Sequence, residues 1–201
     1  TEIFTIDYSA HFKAVFEKVN SVTGVKVFVN GQDTEFYTKD VATLSTYTSQ
    51  SVKISYSVTP ADANFYTAEY SLSNGDLKIS SDTVSPSSNN ACYALLTVTV
   101  TNTITGEQFT DSVYIAFAKH PIGSVSANVS SLVFNGENSD AQTVSITYNS
   151  SDSSSASLKK GMFVSHDASI AQVDSNGVVT PASIGNTTIE FISFDGGHRA
   201  F

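Results

Sequence analysis

Histidine is the first residue type to examine for chemistry, because neutral imidazole serves both as a metal ligand and as a general base. The four histidines are His11, His120, His166 and His198. None is spaced from another as His-x-x-x-His or in a similar metal-binding pattern. His166 and the adjacent Asp167 follow an apolar run, and we interpret them as loop residues on the surface. The histidines therefore predict neither a metal site nor a catalytic base.

The remaining reactive residue types give the same result. Cys92 is the single cysteine, so no disulfide can form within the chain, and we predict an inert, packed thiol. Residues 174–177 (Asp-Ser-Asn-Gly) offer oxygen ligands for calcium, but they lack EF-hand spacing and its distal glutamate, so a turn is the better interpretation. The sequence contains no Gly-x-Ser-x-Gly elbow and no glycine-rich phosphate loop. We predict no catalytic, cofactor-binding or metal-binding residues, and ligand-binding residues stay unknown.

The charge and hydropathy of the chain argue against binding to nucleic acid and against a membrane-spanning segment. Ten Lys and Arg residues against nineteen Asp and Glu residues give a formal charge of −9. An acidic surface repels phosphate backbones, which argues against nucleic-acid binding. No stretch approaches the roughly 20 apolar residues that span a bilayer. The chain begins at Thr1 without a signal peptide, so we expect a processed or excised portion of a longer protein.

Alternation of apolar and polar residues with a period of two is the dominant structural signal, and it predicts β-strands with one buried and one wet face. Asn-Gly and Asp-Gly pairs punctuate these runs and predict tight turns, as at Asn135-Gly136, Asn176-Gly177 and Asp195-Gly196-Gly197. Residues 105–107 predict a hairpin. Residues 9–20 fit either a short helix or the last strand of a preceding module. The apolar positions of the four clearest runs are Val52, Ile54, Tyr56 and Val58; Ala94, Leu96, Val98 and Val100; Val113, Ile115 and Phe117; Val144, Ile146 and Tyr148.

The sequence repeats itself at an offset of about 90 to 100 residues, which predicts duplicated modules. Residues 27–31 (VFVNG) match 132–136 (LVFNG), and residues 52–56 (VKISY) match 144–148 (VSITY). Pro121 and Gly123 interrupt the chain between the copies, and so short a join predicts limited flexibility. We divide the chain into an N-terminal segment, residues 1–20, and two all-β, immunoglobulin-like antiparallel sandwiches, residues 21–120 and 121–201.

The second module resembles a known family. Residues 168–181 (ASIAQVDSNGVVTP), followed by residues 184–189 (IGNTTI), resemble the bacterial Ig-like group 2 domain over roughly residues 121–201. In that pattern Val173 and Val178 would point into the sandwich, and Gly185 and Asn186 would start the next strand. Residues 21–119 resemble the family less closely, since the Asp-Ser-Asn-Gly-Val-Val element is missing.

Two features of the second module depart from the family pattern. Residues 149–160 read as a Ser-rich insertion. The final strand has room only from His198 to Phe201, and we expect it to be truncated or supplied from beyond the chain.

The resemblance implies a non-catalytic module pair of an exported bacterial surface protein, either a structural spacer or a module for adhesion and ligand binding. Its location would be extracellular or on the bacterial cell surface. Its partners would be host or cell-surface proteins or glycans, and the chain would be monomeric or part of a longer multidomain protein. The main alternative is a carbohydrate-binding accessory of a polysaccharide-degrading enzyme, using Phe65, Tyr66 and Tyr70. An enzyme of unknown type and a virion component also stay open.

Overall fold

The computed structural model describes residues 17–41, 50–135 and 140–201, and these residues form sixteen β-strands and no helix. This confirms the all-β fold class. Within the N-terminal segment, residues 17–20 belong to no strand or helix, while residues 1–16, including His11, lie outside the described part. Gly136 of the predicted turn at residues 135–136 also lies outside it.

Residues 24–118 contain the first eight strands, which we call the first module. They are β1 (Gly24–Val29), β2 (Phe36–Asp40), β3 (Val52–Thr59), β4 (Tyr66–Leu72), β5 (Leu77–Ser80), β6 (Thr83–Pro86), β7 (Cys92–Asn102) and β8 (Gln108–Ala118). They form two four-stranded sheets, in the orders β1-β3-β6-β5 and β2-β8-β7-β4. This is the strand order of immunoglobulin sandwiches. One pair, β2 with β8, is parallel and departs from the expected antiparallel pairing.

The first module has the core that the alternation predicts. Val52 and Ile54 of β3 are buried, whereas Lys53, Ser55 and Ser57 are exposed. The inward residues of β7 and β8 are fully buried between the two sheets, and the hairpin that joins these strands lies at the predicted position. These inward residues are Ala94, Leu96, Val98, Val100, Val113, Ile115 and Phe117.

Residues 122–200 contain the other eight strands, which we call the second module. They are β9 (Ile122–Ala127), β10 (Gln142–Thr143), β11 (Ile146–Ser150), β12 (Gly161–Ser165), β13 (Ala171–Val173), β14 (Val178–Pro181), β15 (Ile189–Ser193) and β16 (Arg199–Ala200). Its sheets are β11-β9, β10-β14-β13 and β12-β15-β16.

The two modules share one topology. In the second module β10 and β11 together occupy the place of β3, because β11 pairs with β9 and β10 pairs with β14. The row β12-β15-β16 repeats β4-β7-β8. Two tandem immunoglobulin-like sandwiches are thus present. The boundaries at residues 20 and 120 stay a prediction, and residues 119–121 alone separate β8 from β9.

Three local expectations for the second module are wrong. The run at residues 143–148 is not one strand, because the chain crosses from one sheet to another at Val144 and Ser145. The amide of Val144 donates to the carbonyl of Gly177, and the amide of Ser145 donates to the side chain of Asn128. Val179, not Val178, is the buried residue of β14. Val179 lies directly opposite Val173, and opposite residues share a face of the sheet.

The third wrong expectation for the second module concerns the start of its last long strand. Gly185 and Asn186 lie in an irregular segment, and β15 begins at Ile189.

The outer face of β8 is the largest departure from the simple pattern. Alternation predicts that Ala116 is wet, yet Ala116 and Ala118 are fully buried. The second module covers them, because Leu158 packs against both. A face that alternation assigns to solvent is therefore a contact between modules.

Candidate functional site: the contact between the modules

A tight hairpin between β15 and β16 projects from the second module onto the first. The amide of Ser193 donates to the carbonyl of His198 (2.9 Å), and the amide of Gly197 donates to the carbonyl of Ser193 (3.1 Å). Gly197 has φ of +64°, and a Cβ atom there would lie 2.7 Å from the Phe36 ring of the first module. Only glycine combines this backbone conformation with so close an approach.

The Phe194 ring is the apolar centre of the contact. It stacks on Tyr93 of β7 (centroids 4.3 Å apart) and on Tyr114 of β8 (4.6 Å). Tyr114 stacks in turn on Phe36 of β2 at 5.4 Å. Four rings therefore form one row across the boundary, with Phe194 as the member supplied by the second module. Offset-stacked aromatic pairs contribute about 0.5–1.5 kcal/mol each beyond the burial of their area.

Asp195 is the polar centre of the contact and is only 1% exposed. Its Oδ1 atom accepts a hydrogen bond from the hydroxyl of Thr38 (2.8 Å) in the first module. Its Oδ2 atom accepts one from the backbone amide of Ile122 (2.9 Å), at the first residue of β9. Burial raises the pKa of Asp195 above its ordinary value, and the nearby charge of Asp40 raises it a little further. The two hydrogen bonds and the charge of His198 lower this pKa, but by less than burial raises it. The carboxylate thus links Thr38 of the first module to the first residue of β9.

The Ser-rich segment at residues 149–160 adds a second apolar point. Leu158 packs on Ala116 and Ala118, and the amide of Ser157 donates to the carbonyl of His120 (2.9 Å). The hydroxyl of Tyr114 also donates to the sulfur of Met162, at 3.9 Å. The Ser-rich segment therefore packs against both the first module and the short connection between the modules.

An ion cluster around the buried carboxylate of Glu190 lies on the strands that carry the hairpin. Glu190 accepts hydrogen bonds from Arg199 (2.5 Å) and His166 (3.0 Å). Burial opposes ionisation of Glu190 most strongly, but these bonds and charges together hold its pKa below the ordinary value. Arg199 also lies 3.9 Å from the exposed Glu35 of the first module. His166 thus serves as a hydrogen-bond partner of Glu190.

Of the other side chains that could do chemistry, Cys92 and Asp174 lie apart from this contact, whereas His120 lies within it. Burial, reinforced by Asp76, raises the pKa of Cys92 to about 11, so its reactive thiolate is scarce at neutral pH. Asp174 Oδ1 accepts from the amides of Asn176 and Val178 (both 2.8 Å), and these bonds define a turn. His120 bonds Asp152 at 2.8 Å, within the join. Within residues 17–41, 50–135 and 140–201, no three His, Cys, Asp or Glu side chains are grouped to hold a metal ion.

The three aromatic residues considered for sugar binding, Phe65, Tyr66 and Tyr70, differ in their exposure. Tyr66 and Tyr70 pack against the first module's core, and Tyr70 makes an edge contact with Tyr56 (6.0 Å). Phe65 is 40% exposed and has φ of +57°. A sugar ring needs an accessible ring face for stacking, and Tyr66 and Tyr70 are both partly buried against the core.

Sequence reasoning missed the contact between the modules. It treated Asp195-Gly196-Gly197 as a turn, which is correct, but nothing in the local pattern shows that the turn docks on residues more than 150 positions earlier. One signal was available. Phe194 beside Asp195 places a large apolar ring at a predicted loop tip, where an exposed ring would be unfavourable.

Comparison with known proteins supports the interpretation of the second module. Residues 124–200 match the model of the bacterial Ig-like domain (group 2), which confirms the resemblance found in the sequence. A search of curated proteins found no match.

Solved structures of similar architecture include human CDH23 EC21-23, with 11% identity over 89% of this chain and 62% of that chain (TM-score 0.33). They also include Drosophila N-cadherin EC1-4, with 14% identity over 89% of this chain and 49% of that chain (TM-score 0.31). The chain therefore spans less than two thirds of either structure. In the described residues, no helix has the length and apolar character needed to cross a membrane.

Proposed function

We propose that the chain is a non-catalytic pair of immunoglobulin-like modules from an exported bacterial surface protein, and that it serves as a structural spacer that holds an adhesive or ligand-binding region away from the cell. The modules would belong to a longer multidomain chain at the extracellular surface. Their partners would be cell-surface or host proteins or glycans.

The observation that carries this proposal is the contact between the modules. A spacer transmits position only if successive modules keep a fixed relative orientation. A join of residues 119–121 limits the reach of the linker, and the ring row around Phe194 and the bonds of Asp195 limit rotation. The match of residues 124–200 to a bacterial Ig-like domain supports the exported, non-catalytic role.

Distance measurements between the modules test the spacer role. Two spin labels, one at exposed Lys78 and one at exposed Gln172, report the separation of the modules by pulsed electron resonance. We expect a single narrow distance distribution for the wild-type chain and a broad one for the double variant Phe194→Ala, Asp195→Ala. A wild-type distribution as broad as that of the double variant would refute a fixed spacer.

Export is tested separately. Antibodies against the chain should label intact cells of the producing organism, and protease added outside should remove the label. Labelling only after the cells are opened would contradict the surface location.

A further inference from the structure

The chain contains two sulfur atoms, one in Cys92 and one in Met162, and their environments differ. Cys92 is 6% exposed and packs in the core of the first module, and burial raises the pKa of its thiol to about 11. Oxidants attack a thiolate, so Cys92 is protected. Met162, the second residue of β12, is partly exposed, and a thioether needs no deprotonation to react. Met162 is therefore the sulfur that a small oxidant reaches first.

Met162 lines a groove between the two modules. The groove is open to solvent and has a volume of about 340 Å³. The other lining residues all belong to the first module and include Glu35, Leu95, Ser112 and Tyr114. A water molecule takes about 30 Å³ of liquid volume, so the groove admits a molecule as small as hydrogen peroxide.

A hydrogen-bond donor of the first module already faces the sulfur. The hydroxyl of Tyr114 donates to Sδ of Met162 at 3.9 Å. A thioether sulfur is only a weak acceptor. Tyr114 also stacks on Phe36 and Phe194, at 5.4 and 4.6 Å, and these contacts restrain its ring. The hydroxyl is thus held across the boundary from an acceptor that uses it poorly.

Oxidation of the sulfur by a peroxide would supply a better acceptor at this point. The sulfur lone pair attacks one peroxide oxygen, the S–O bond forms as the O–O bond breaks, and the departing hydroxide takes the proton of the transferred oxygen and leaves as water. Sulfur loses two electrons and the peroxide gains them, which gives methionine sulfoxide. Hydroxyl–oxygen hydrogen bonds span about 2.5–3.0 Å, so the 3.9 Å gap accommodates one sulfoxide oxygen in a bent S–O···H arrangement.

The position of Met162 decides the sign of the effect. Sulfoxidation usually weakens a contact because a polar oxygen replaces apolar packing. Here the new oxygen would have a hydroxyl donor on one side and a solvent-filled groove on the other, so it loses no hydrogen bonding. The rotatable bonds of the methionine side chain let an oxygen added from the groove turn towards Tyr114.

We propose that Met162 is a redox-sensitive modification site: a peroxide converts its thioether to a sulfoxide, and the sulfoxide oxygen accepts a stronger hydrogen bond from Tyr114 and tightens the contact between the modules. This adds an oxidant response to the contact and holds whether or not the chain is exported.

Treatment of the full 201-residue chain with hydrogen peroxide tests the proposal. Mass spectrometry should find one added oxygen on Met162 in the native chain and none on Cys92. The temperature at which the second module unfolds should rise by about 2 °C on oxidation. Tyr114→Phe keeps the ring and lacks the hydroxyl, so oxidation should not raise its melting temperature. Met162→Leu has similar volume and no sulfur, so peroxide should leave its melting temperature unchanged.

Three outcomes overturn the proposal. The first is a native Met162 that stays unmodified under peroxide treatment that fully oxidises a short methionine peptide. The second is a melting temperature that falls, or does not change, when Met162 is oxidised. The third is an equal rise in Tyr114→Phe or in Met162→Leu. The spin-label distances that test the spacer role are measured without oxidant, so failure of that role and failure of this inference are separate results.

Discussion

Replacing Phe194 by alanine should uncouple the two modules. The ring is 9% exposed and lies between Tyr93 and Tyr114, with centroid distances of 4.3 and 4.6 Å. Burying a phenylalanine side chain contributes about 1.5–3 kcal/mol. Two stacked pairs add about 0.5–1.5 kcal/mol each. The sum is about 2.5–6 kcal/mol, a range that contains the usual cost of about 3–5 kcal/mol for truncating a buried phenylalanine.

This loss falls on the contact and not on either core, because each module has its own buried cluster. Calorimetry of the wild-type chain should therefore show the two modules unfolding in one transition, or in two close ones. In Phe194→Ala the second module should unfold at a lower temperature and separately from the first.

A matched control is Ile104→Ala, in the corresponding hairpin of the first module. Ile104 is 57% exposed, so its truncation should change the free energy of unfolding by less than about 0.5 kcal/mol. The reasoning fails if Phe194→Ala changes the free energy of unfolding as little as Ile104→Ala does. It also fails if the two modules of Phe194→Ala still unfold together at the wild-type temperature.

Three other predictions concern single residues. Because the folded pKa of Asp195 is raised, its contribution to stability is present below about pH 4 and is lost as pH rises through the raised value; the difference in unfolding free energy between wild type and Asp195→Asn, measured against pH, should follow this course, and a flat difference would contradict it. Cys92 should react with a thiol reagent at pH 8 only as fast as the first module unfolds, so rapid labelling in the native state would refute its burial. Gly177→Ala should destabilise the second module by more than about 1 kcal/mol in denaturant titrations, because φ is +80° and the new Cβ would lie 2.3 Å from the carbonyl oxygen of Val144; Gly75→Ala, where no atom lies within 4 Å, is the control, and equal effects would contradict the reasoning.

Three long strands of the first module, β3, β7 and β8, were predictable because each depends on a local pattern. Alternation in β3, β7 and β8 follows from the pleat of a half-buried sheet, so neighbouring residues suffice to assign the inward side. The Asn176-Gly177 turn was predictable for the same reason, since glycine tolerates a positive φ.

The contact between the modules was not predictable from such patterns. Thr38 and Asp195 lie 157 positions apart, and nothing near either residue shows that they meet. Val178 was wrongly expected to point inward, because the phase of a three- or four-residue strand depends on its partner strand. The burial of Ala116 was missed because alternation reports one sheet at a time, whereas that side chain is covered by another module.

The parallel pairing of β2 with β8 governs how the first module responds to mechanical load. β2 lies near the beginning of this module and β8 leads out of it, and five consecutive residue pairs, from Phe36 with Tyr114 to Asp40 with Ala118, join them. Tension along the chain pulls these two strands lengthwise in opposite directions. The hydrogen bonds between β2 and β8 are then loaded in shear and at the same time, so they do not break one after another. Force spectroscopy should accordingly find the first module resistant to stretching.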